Sequence, residues 1–354
     1  MYAACGPQPI IQIHPTRRCN LRCLHCYSSS GPEERDSLGY STLAGLIEDA
    51  EQQGYRVASF SGGEPVLYSS LPDVMRLAHK HGMKTTLTSN GMLLTAARLA
   101  ELAGCVDVLA ISLDGIPESH NKMRVSDQAF ERMQRNLDAV RQSGIDFGFI
   151  FTLTQHNVNE VGWAADFAVE HGAKLFQIHP LEEVGRALTE LSGHRPDAIE
   201  STYAFLEADR LRKKYGHRLH VQLDIFHREC LKREPRRFYA EDTAANPEIL
   251  AECVSPLVVE ADGTIVPLGY GFGRAYALGN LLDSRLRHLA PEWIRNVYGR
   301  YRELTERVHG EASQPSELPF LNWYELIGSR SEAPPRIQSQ IDPPPPTGTN
   351  QPEA

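Results

Sequence analysis

No run of the chain approaches the ~20 consecutive apolar residues that a membrane span requires. The first ten residues, MYAACGPQPI, show no basic segment leading into an apolar one, so no secretory signal is recognised there. A soluble cytoplasmic protein with no membrane partner is the expectation. Positive charge is also short: 36 Lys and Arg stand against 45 Asp and Glu, a net charge of −9. That balance argues against nucleic acid as the main partner. Only seven cysteines occur in 354 residues, too few and too unevenly spaced for the disulfide framework of a small secreted domain. With 41% hydrophobic residues, a chain of this length buries a full core, as one large α/β domain and a smaller one.

Three of the seven cysteines, Cys19, Cys23 and Cys26, share the run RRCNLRCLHCY. What this run lacks is a fourth. A [4Fe-4S] cluster normally takes four cysteine ligands, so three on one loop leave one iron open to an external ligand. The spacing is neither the paired CxxC of a zinc ribbon nor the single CxxC of a thioredoxin-like pair. A structural zinc knuckle with His25 as fourth ligand is the competing reading. Cys5 and Cys105 stand alone and read as ordinary thiols.

A strand–helix rhythm runs from residue 10 to about 180. Short apolar segments at Ile10–His14, Val57–Phe60, Lys84–Thr88, Val108–Leu113, Phe147–Leu153 and Leu175–His179 predict six strands. Between them lie helical patterns. Leu43, Leu46, Ile47 and Ala50 follow i, i+3, i+4, i+7, with Ser41 as N-cap and Gly54 as stop. Later helices are marked by Val74 and Leu77, by Leu99 and Leu102, by Phe130 to Val140, and by Trp163 to Ala168. Such alternation calls for a parallel sheet with right-handed crossovers. Six units suit a partial, TIM-like (β/α)6 barrel; a doubly wound sheet is the alternative.

Chemistry-bearing residues follow each strand. The cysteine loop follows the first, Ser61-Gly62-Gly63-Glu64-Pro65 the second, Ser89-Asn90-Gly91 the third, and Asp114-Gly115 the fourth. Gln155-His156-Asn157 and His179-Pro180-Leu181 follow the fifth and sixth. The carboxyl ends of parallel strands are where such folds build their sites, so all six loops should face one mouth.

In these motifs, over roughly residues 8–190, the chain resembles the radical S-adenosylmethionine (SAM) superfamily. The resemblance implies one [4Fe-4S] cluster on Cys19, Cys23 and Cys26, with the amino and carboxylate groups of SAM on the open iron. Reductive cleavage of SAM would give methionine and a 5′-deoxyadenosyl radical that abstracts a hydrogen atom from the substrate. Gly62 and Gly63, lacking a Cβ, would let backbone approach the methionyl amino group, with Glu64 taking a cationic partner or orienting the loop. Asn90, Ser112 and Asp114 suit ribose hydroxyls and the SAM carboxylate, which Arg124 could also pair. Asn157 and His179 are candidates for ribose or adenine contact.

Past residue 190 the rhythm changes. Ala198–Tyr215 predicts a helix, Leu219–Ile225 a strand, Leu257–Glu260 and Thr264–Pro267 a hairpin about Asp262-Gly263, and Pro291–Arg307 a helix. From about Ser331 the proline-rich end reads as a disordered tail. Residues 191–330 resemble a degenerate SPASM/twitch-type domain, a small α+β unit that in its relatives holds auxiliary clusters. The cysteine expected after the hairpin proline is missing: Pro267 is followed by Leu268-Gly269-Tyr270. Cys230 and Cys253 alone do not make a four-cysteine site, so loss of the auxiliary cluster is expected. Lineages of this type mostly modify ribosomally synthesised peptides (RiPP maturation), while others act on tetrapyrroles in haem-type biosynthesis. Peptide modification is the leading expectation, a tetrapyrrole or other small molecule the alternative, and a non-catalytic iron–sulfur protein a third. With about ten residues before the first strand, no peptide-recognition domain is expected to be fused there. A separate peptide-recognition protein, and a reductase, flavodoxin or ferredoxin as electron donor, are the implied partners. Glu182, Glu183 and Arg186, in HPLEEVGRA beside the mouth, are candidates for substrate contact.

Overall fold

The computed structural model describes residues 8–235, 238, 247–316 and 318–332. Cys5 and the proline-rich end from residue 333 lie outside the described residues, as does part of the Arg/Glu-rich stretch before residue 247. The six predicted strands are present as β1 (Ile10–Ile13), β2 (Val57–Phe60), β3 (Lys84–Ser89), β4 (Val108–Ser112), β5 (Asp146–Leu153) and β6 (Leu175–Pro180). They pair in parallel in sequence order. The connecting helices are α1 (Tyr40–Gln52), α2 (Leu71–Lys80), α3 (Ala96–Leu102), α4 (Pro117–Arg124), α5 (Ala129–Ser143) and α6 (Val161–Glu170). Helix α1 starts one residue before the expected cap, with Gly39 at the N-cap position instead of Ser41. The glycine stops arise as expected from chirality: Gly144 ends α5 at φ 74°, where a Cβ is penalised.

The strands alternate between two environments. One face carries Ile11, Phe60, Leu87, Ile111, Phe149 and Phe176, all buried against the helices. The other carries Ser59, Thr86, Thr88, Thr152 and Gln177, partly open, so the concave side of the sheet is polar. That period of two is what makes the barrel interior a site rather than a core.

The short α7 (Ala187–Glu190) and α8 (Ala198–Tyr215) lead to β7 (His220–Leu223), which adds to β6 in parallel. Then come β8 (Phe226–His227), α9 (Arg228–Arg233), α10 (Leu250–Cys253), β9 (Leu257–Val259), β10 (Thr264–Pro267) and β11 (Gly279–Asn280). The expected β9–β10 hairpin forms, and β9 pairs with β1 in parallel. One ten-stranded sheet results, in the order β11-β10-β9-β1-β2-β3-β4-β5-β6-β7. The second half therefore extends the first half's sheet at both edges, and its own separate sheet is only the antiparallel pair of Phe226–His227 with Phe320–Leu321. The helix expected over Pro291–Arg307 is two helices, α11 (Leu286–Asn296) and α12 (Tyr298–Ala312), broken at Val297, where φ is −122°. Strand β12 (Phe320–Leu321) and α13 (Trp323–Glu332) close the described chain. None of the described helices is long and apolar enough to cross a membrane.

Asp49, on α1 and only 1% exposed, joins the two halves. It accepts from Arg285 Nε at 3.0 Å and Nη2 at 2.8 Å, and from the Arg287 backbone amide at 3.2 Å. Removing a carboxylate so engaged leaves half-exposed guanidinium groups without it, at a cost of about 2 kcal/mol. Asp49→Ala should lower the midpoint of urea unfolding accordingly; an unchanged midpoint would show that the two halves are held by apolar packing alone.

Candidate functional site

The six strand-end loops meet at one mouth. The loop after β1 turns back on itself through bridges between Thr16 and Ser37 and between Arg18 and Gly31, and carries the three cysteines on its inner side. Cys19 and Cys23 are buried and Cys26 half-buried, around Leu21 and Met92. Donors converge on each sulfur: Leu21 N lies 3.4 Å from Cys19 Sγ, Ser30 N 3.3 Å from Cys26 Sγ, and Arg124 Nη1 3.7 Å from Cys23 Sγ. Burial pushes the Cys19 thiol up to about 12, and burial also raises Cys23 against the pull of Arg124. As bare thiols Cys19 and Cys23 therefore keep their protons, which metal loading must displace. Among the described residues no group of three or more His, Cys, Asp or Glu is gathered for a single metal ion. His25, the fourth ligand of the zinc reading, turns its Nε2 to Asp114 at 3.5 Å. Three sulfurs spread over one loop, each met by an N–H donor, fit a polynuclear cluster better than one zinc ion.

The loop after β2 packs directly on this one. Gly63 N donates to Thr16 O at 2.9 Å and Glu64 N to Arg18 O at 3.0 Å. A Cβ on Gly63 would collide with the Arg18 carbonyl, so the glycine pair is required first by the approach of the cysteine loop's own backbone. Glu64 is fully buried and accepts from Asn90 N at 2.9 Å, Ser89 Oγ at 2.9 Å and Val66 N at 3.3 Å. It orients loops; no cationic side chain pairs with it among the described residues. Asn90 in turn donates to Asn20 Oδ1 at 2.9 Å and accepts from Met92 N at 3.0 Å, stapling the third loop to the first.

Asp114 has no exposed surface. It takes Arg124 Nε at 2.6 Å on one oxygen and, on the other, Thr152 N at 3.3 Å and His25 Nε2 at 3.5 Å. Burial alone would raise this carboxyl, but Arg124 and His25 outweigh it and hold the group well below its ordinary range. Both oxygens thus have partners within the chain, where the sequence suggested ribose hydroxyls or the SAM carboxylate. Arg124 likewise has its carboxylate partner in Asp114, where a SAM carboxylate was expected. Asn157 is saturated: Oδ1 accepts from Thr154 N and Oγ1, and Nδ2 donates to Asp114 O and Thr152 O. All four bonding positions of that amide are filled, and it clamps the β4 and β5 ends, where the sequence suggested ribose or adenine contact. Ser112, at the end of β4, has no side-chain partner among the described residues.

His179 lies across the mouth. Its Nδ1 is 3.0 Å from Asp224 Oδ2, and its Nε2 is 3.6 Å from Glu182. Gln177 and Gln222 hold Asp224 at 2.6 and 2.8 Å. Asp224 was missed in the sequence, although the alternation of HVQLD places it on the concave face with Gln222. Also missed was the ring group His14, Tyr27 and Tyr270, with centroids 5.0–5.6 Å apart, in which Tyr27 OH bonds Ser61 Oγ at 3.0 Å. Burial lowers His14 to about 3 and raises Tyr27 to about 12, so both are neutral. Arg186, expected at the substrate, instead donates to Cys23 O and Ser30 O, both at 2.7 Å. Cys253 is buried in α10 and Cys230 lies on α9; no metal-ligand group includes them among the described residues.

Burial by itself would lower His179, but the Asp224 bond and the charges of Glu182 and Asp224 outweigh it and raise the imidazole to about 9 from 6.5. A raised histidine contributes stability that is present below its unfolded value and lost as pH rises through its folded one. The difference in Tm between wild type and His179→Asn should therefore be largest near pH 6 and narrow toward pH 9.5. A difference independent of pH over that span would mean that the pair is not charged.

The profile of the radical SAM superfamily matches residues 13–168. The chain is 28% identical over 293 residues to the Fe-coproporphyrin III synthase of Methanosarcina barkeri, a match covering 78% of this chain and 72% of the relative. It is 31% identical over 189 residues to the mycofactocin maturase MftC of Mycobacterium ulcerans, covering 52% and 50%. Against MftC and the AdoMet-dependent heme synthases, the chain spans about half the length of the curated relatives it matches. The fold is that of Streptococcus suis SuiB, solved bound to S-adenosylmethionine, with a TM-score of 0.64 at 16% identity over 84% of this chain and 68% of that one. The chain thus carries a radical SAM domain over residues 13–168, with a [4Fe-4S] cluster and SAM as that domain's cofactors.

Proposed function

We propose that this radical SAM enzyme takes a hydrogen atom from a ribosomally synthesised peptide held at the mouth. The observation that carries the reading is the charge state of that mouth. Four described cations near it are already engaged by carboxylates, Arg124 with Asp114, Arg195 with Glu183 and Glu325, Arg274 with Glu260, and His179 with Asp224, while Arg186 turns its guanidinium to the carbonyls of the cysteine loop. What remains is a concave wall of hydroxyls and amides such as Ser59, Thr86, Thr152 and Gln177. Such a wall hydrogen-bonds a peptide backbone, whereas a tetrapyrrole's several carboxylates need unpaired cations. SuiB, of the same fold, has also been solved with its precursor peptide SuiA.

A [4Fe-4S] cluster held by Cys19, Cys23 and Cys26 would supply the electron for reductive cleavage of SAM. The chain's own residues do the rest. Cys19, Cys23 and Cys26 hold the cluster, and the Gly62-Gly63 turn seats the cysteine loop. Ser112 offers a free hydroxyl toward the bound nucleoside, and His179 and Glu182 face the substrate. Two thiols, Cys230 and Cys253, are too few for a second cluster of their own, which supports a single-cluster enzyme. A flavodoxin- or ferredoxin-type donor and a separate peptide-recognition protein complete the proposed system.

A second reading has its own support: the likeness to the Fe-coproporphyrin III synthase extends through most of the C-terminal half. The two are separated by offering the reconstituted protein, with SAM and dithionite, either a precursor peptide encoded beside its gene or an iron coproporphyrin-type tetrapyrrole. A mass change in the peptide, with deuterium carried from labelled peptide into 5′-deoxyadenosine, is expected. An unaltered peptide together with loss of mass from the tetrapyrrole would replace the first reading by the second.

A further inference from the structure

The segment HPLEEVGRA was singled out for its place beside the mouth, yet its arginine turns away from it. Arg186 Nη1 and Nη2 donate to Cys23 O and Ser30 O at 2.7 Å each, and Arg186 N donates to Cys26 O at 3.0 Å. Three contacts from one residue thus span the part of the loop that holds two of the three ligands. Gly185 makes the approach possible. It sits at φ 61°, and a Cβ there would strike the Tyr27 and Cys26 carbonyls.

Arg124, whose guanidinium reaches Cys23 Sγ, is neutralised by Asp114 at 2.6 Å. No carboxylate lies within ion-pair distance of Arg186 among the described residues; its partners are carbonyl oxygens, which carry no net charge. A half-buried guanidinium is thereby fixed, uncompensated, against the backbone of the cluster's ligands. Fixed charge at such range acts through low dielectric and is weakly screened. The opposite end of the same segment reaches the mouth, where Glu182 lies 3.6 Å from His179 and accepts from Asn322 at 3.3 Å.

We propose that Arg186 is a positioning residue whose uncompensated charge sets the reduction potential of the cluster on Cys19, Cys23 and Cys26. A cation beside the cluster favours the reduced, more negative state, and net charge and hydrogen bonding are among the levers that set such potentials. The proposal rests on the cluster being held by these three cysteines. Its test uses variants of the reconstituted full chain, read by iron content and by electron paramagnetic resonance during a redox titration. Arg186→Gln removes the charge and keeps a donor; Arg186→Lys keeps the charge and loses the fork. We expect Arg186→Gln to retain iron but to shift the reduced-to-oxidised equilibrium about tenfold toward oxidised, which is 59 mV for one electron. Arg186→Lys should stay close to wild type. Equal potentials in wild type and an iron-retaining Arg186→Gln would overturn the proposal. So would Arg186→Lys shifting as far as Arg186→Gln, or losing its iron, since either outcome makes the fork's geometry responsible and not its charge. Should Arg186→Gln lose iron, an iron-loaded Arg186→Lys at the wild-type potential still supports the charge. A wild type without any cluster signal would instead overturn the ligand assignment on which the proposal rests.

Discussion

A carboxylate with no access to water must be compensated or neutralised, and the arrangement of this mouth follows from that requirement at Asp114. Its charge is met by Arg124 at 2.6 Å and by His25 at 3.5 Å. Meeting it draws α4's last residue inward, so that the same guanidinium reaches Cys23 Sγ at 3.7 Å. It also fixes His25, which lies between Cys23 and Cys26 in the chain, and through Thr152 N it ties the end of β5 to the end of β4. Asn157 then locks the carbonyls beside it. An isolated buried charge costs several kcal/mol; here that cost is offset by a network that holds the cysteine loop on three sides.

Glu64 makes a second such node, fully buried and satisfied by the third loop's amide and hydroxyl. Between them, the two carboxylates join the loops after β1, β2, β3, β4 and β5 into one rigid rim. Arg186 closes that rim from the sixth. The cysteine loop has little regular structure of its own, yet every turn of it is anchored to a strand end. The concave wall beneath carries hydroxyls and amides because successive strand residues alternate, with Phe149 and Phe151 packed outward and Thr152 turned inward beside the apolar Ile150.

Much of this was legible in the sequence, because its period and punctuation are local. The six strands, the glycine stops and the three cysteines follow from residues a few positions apart. The roles of single polar residues were less legible. Asp114, Arg124 and Asn157 are short or bidentate polar groups at strand ends, and that chemistry suits a ligand and a buried partner equally. The pairing of Asp114 with Arg124, ten residues away, and of Asn157 with the carbonyl of Asp114, forty-three residues away, is not written in the local pattern. The continuation of the sheet past residue 190 was hidden for the same reason: β9 lies against β1 across more than two hundred residues. The break at Val297 has no proline after it, and the nearby Gly299 lies inside α12 instead of at the break.

The central claim is that three cysteines hold one cluster whose fourth iron is left to SAM. It is tested most directly by anaerobic reconstitution of the wild type and of the triple Cys19/Cys23/Cys26→Ala variant, assaying iron per chain and 5′-deoxyadenosine after adding dithionite and SAM. The account predicts about four irons and 5′-deoxyadenosine for the wild type, and neither for the variant. A variant that still bound four irons, or a fully loaded wild type that released no 5′-deoxyadenosine, would contradict it.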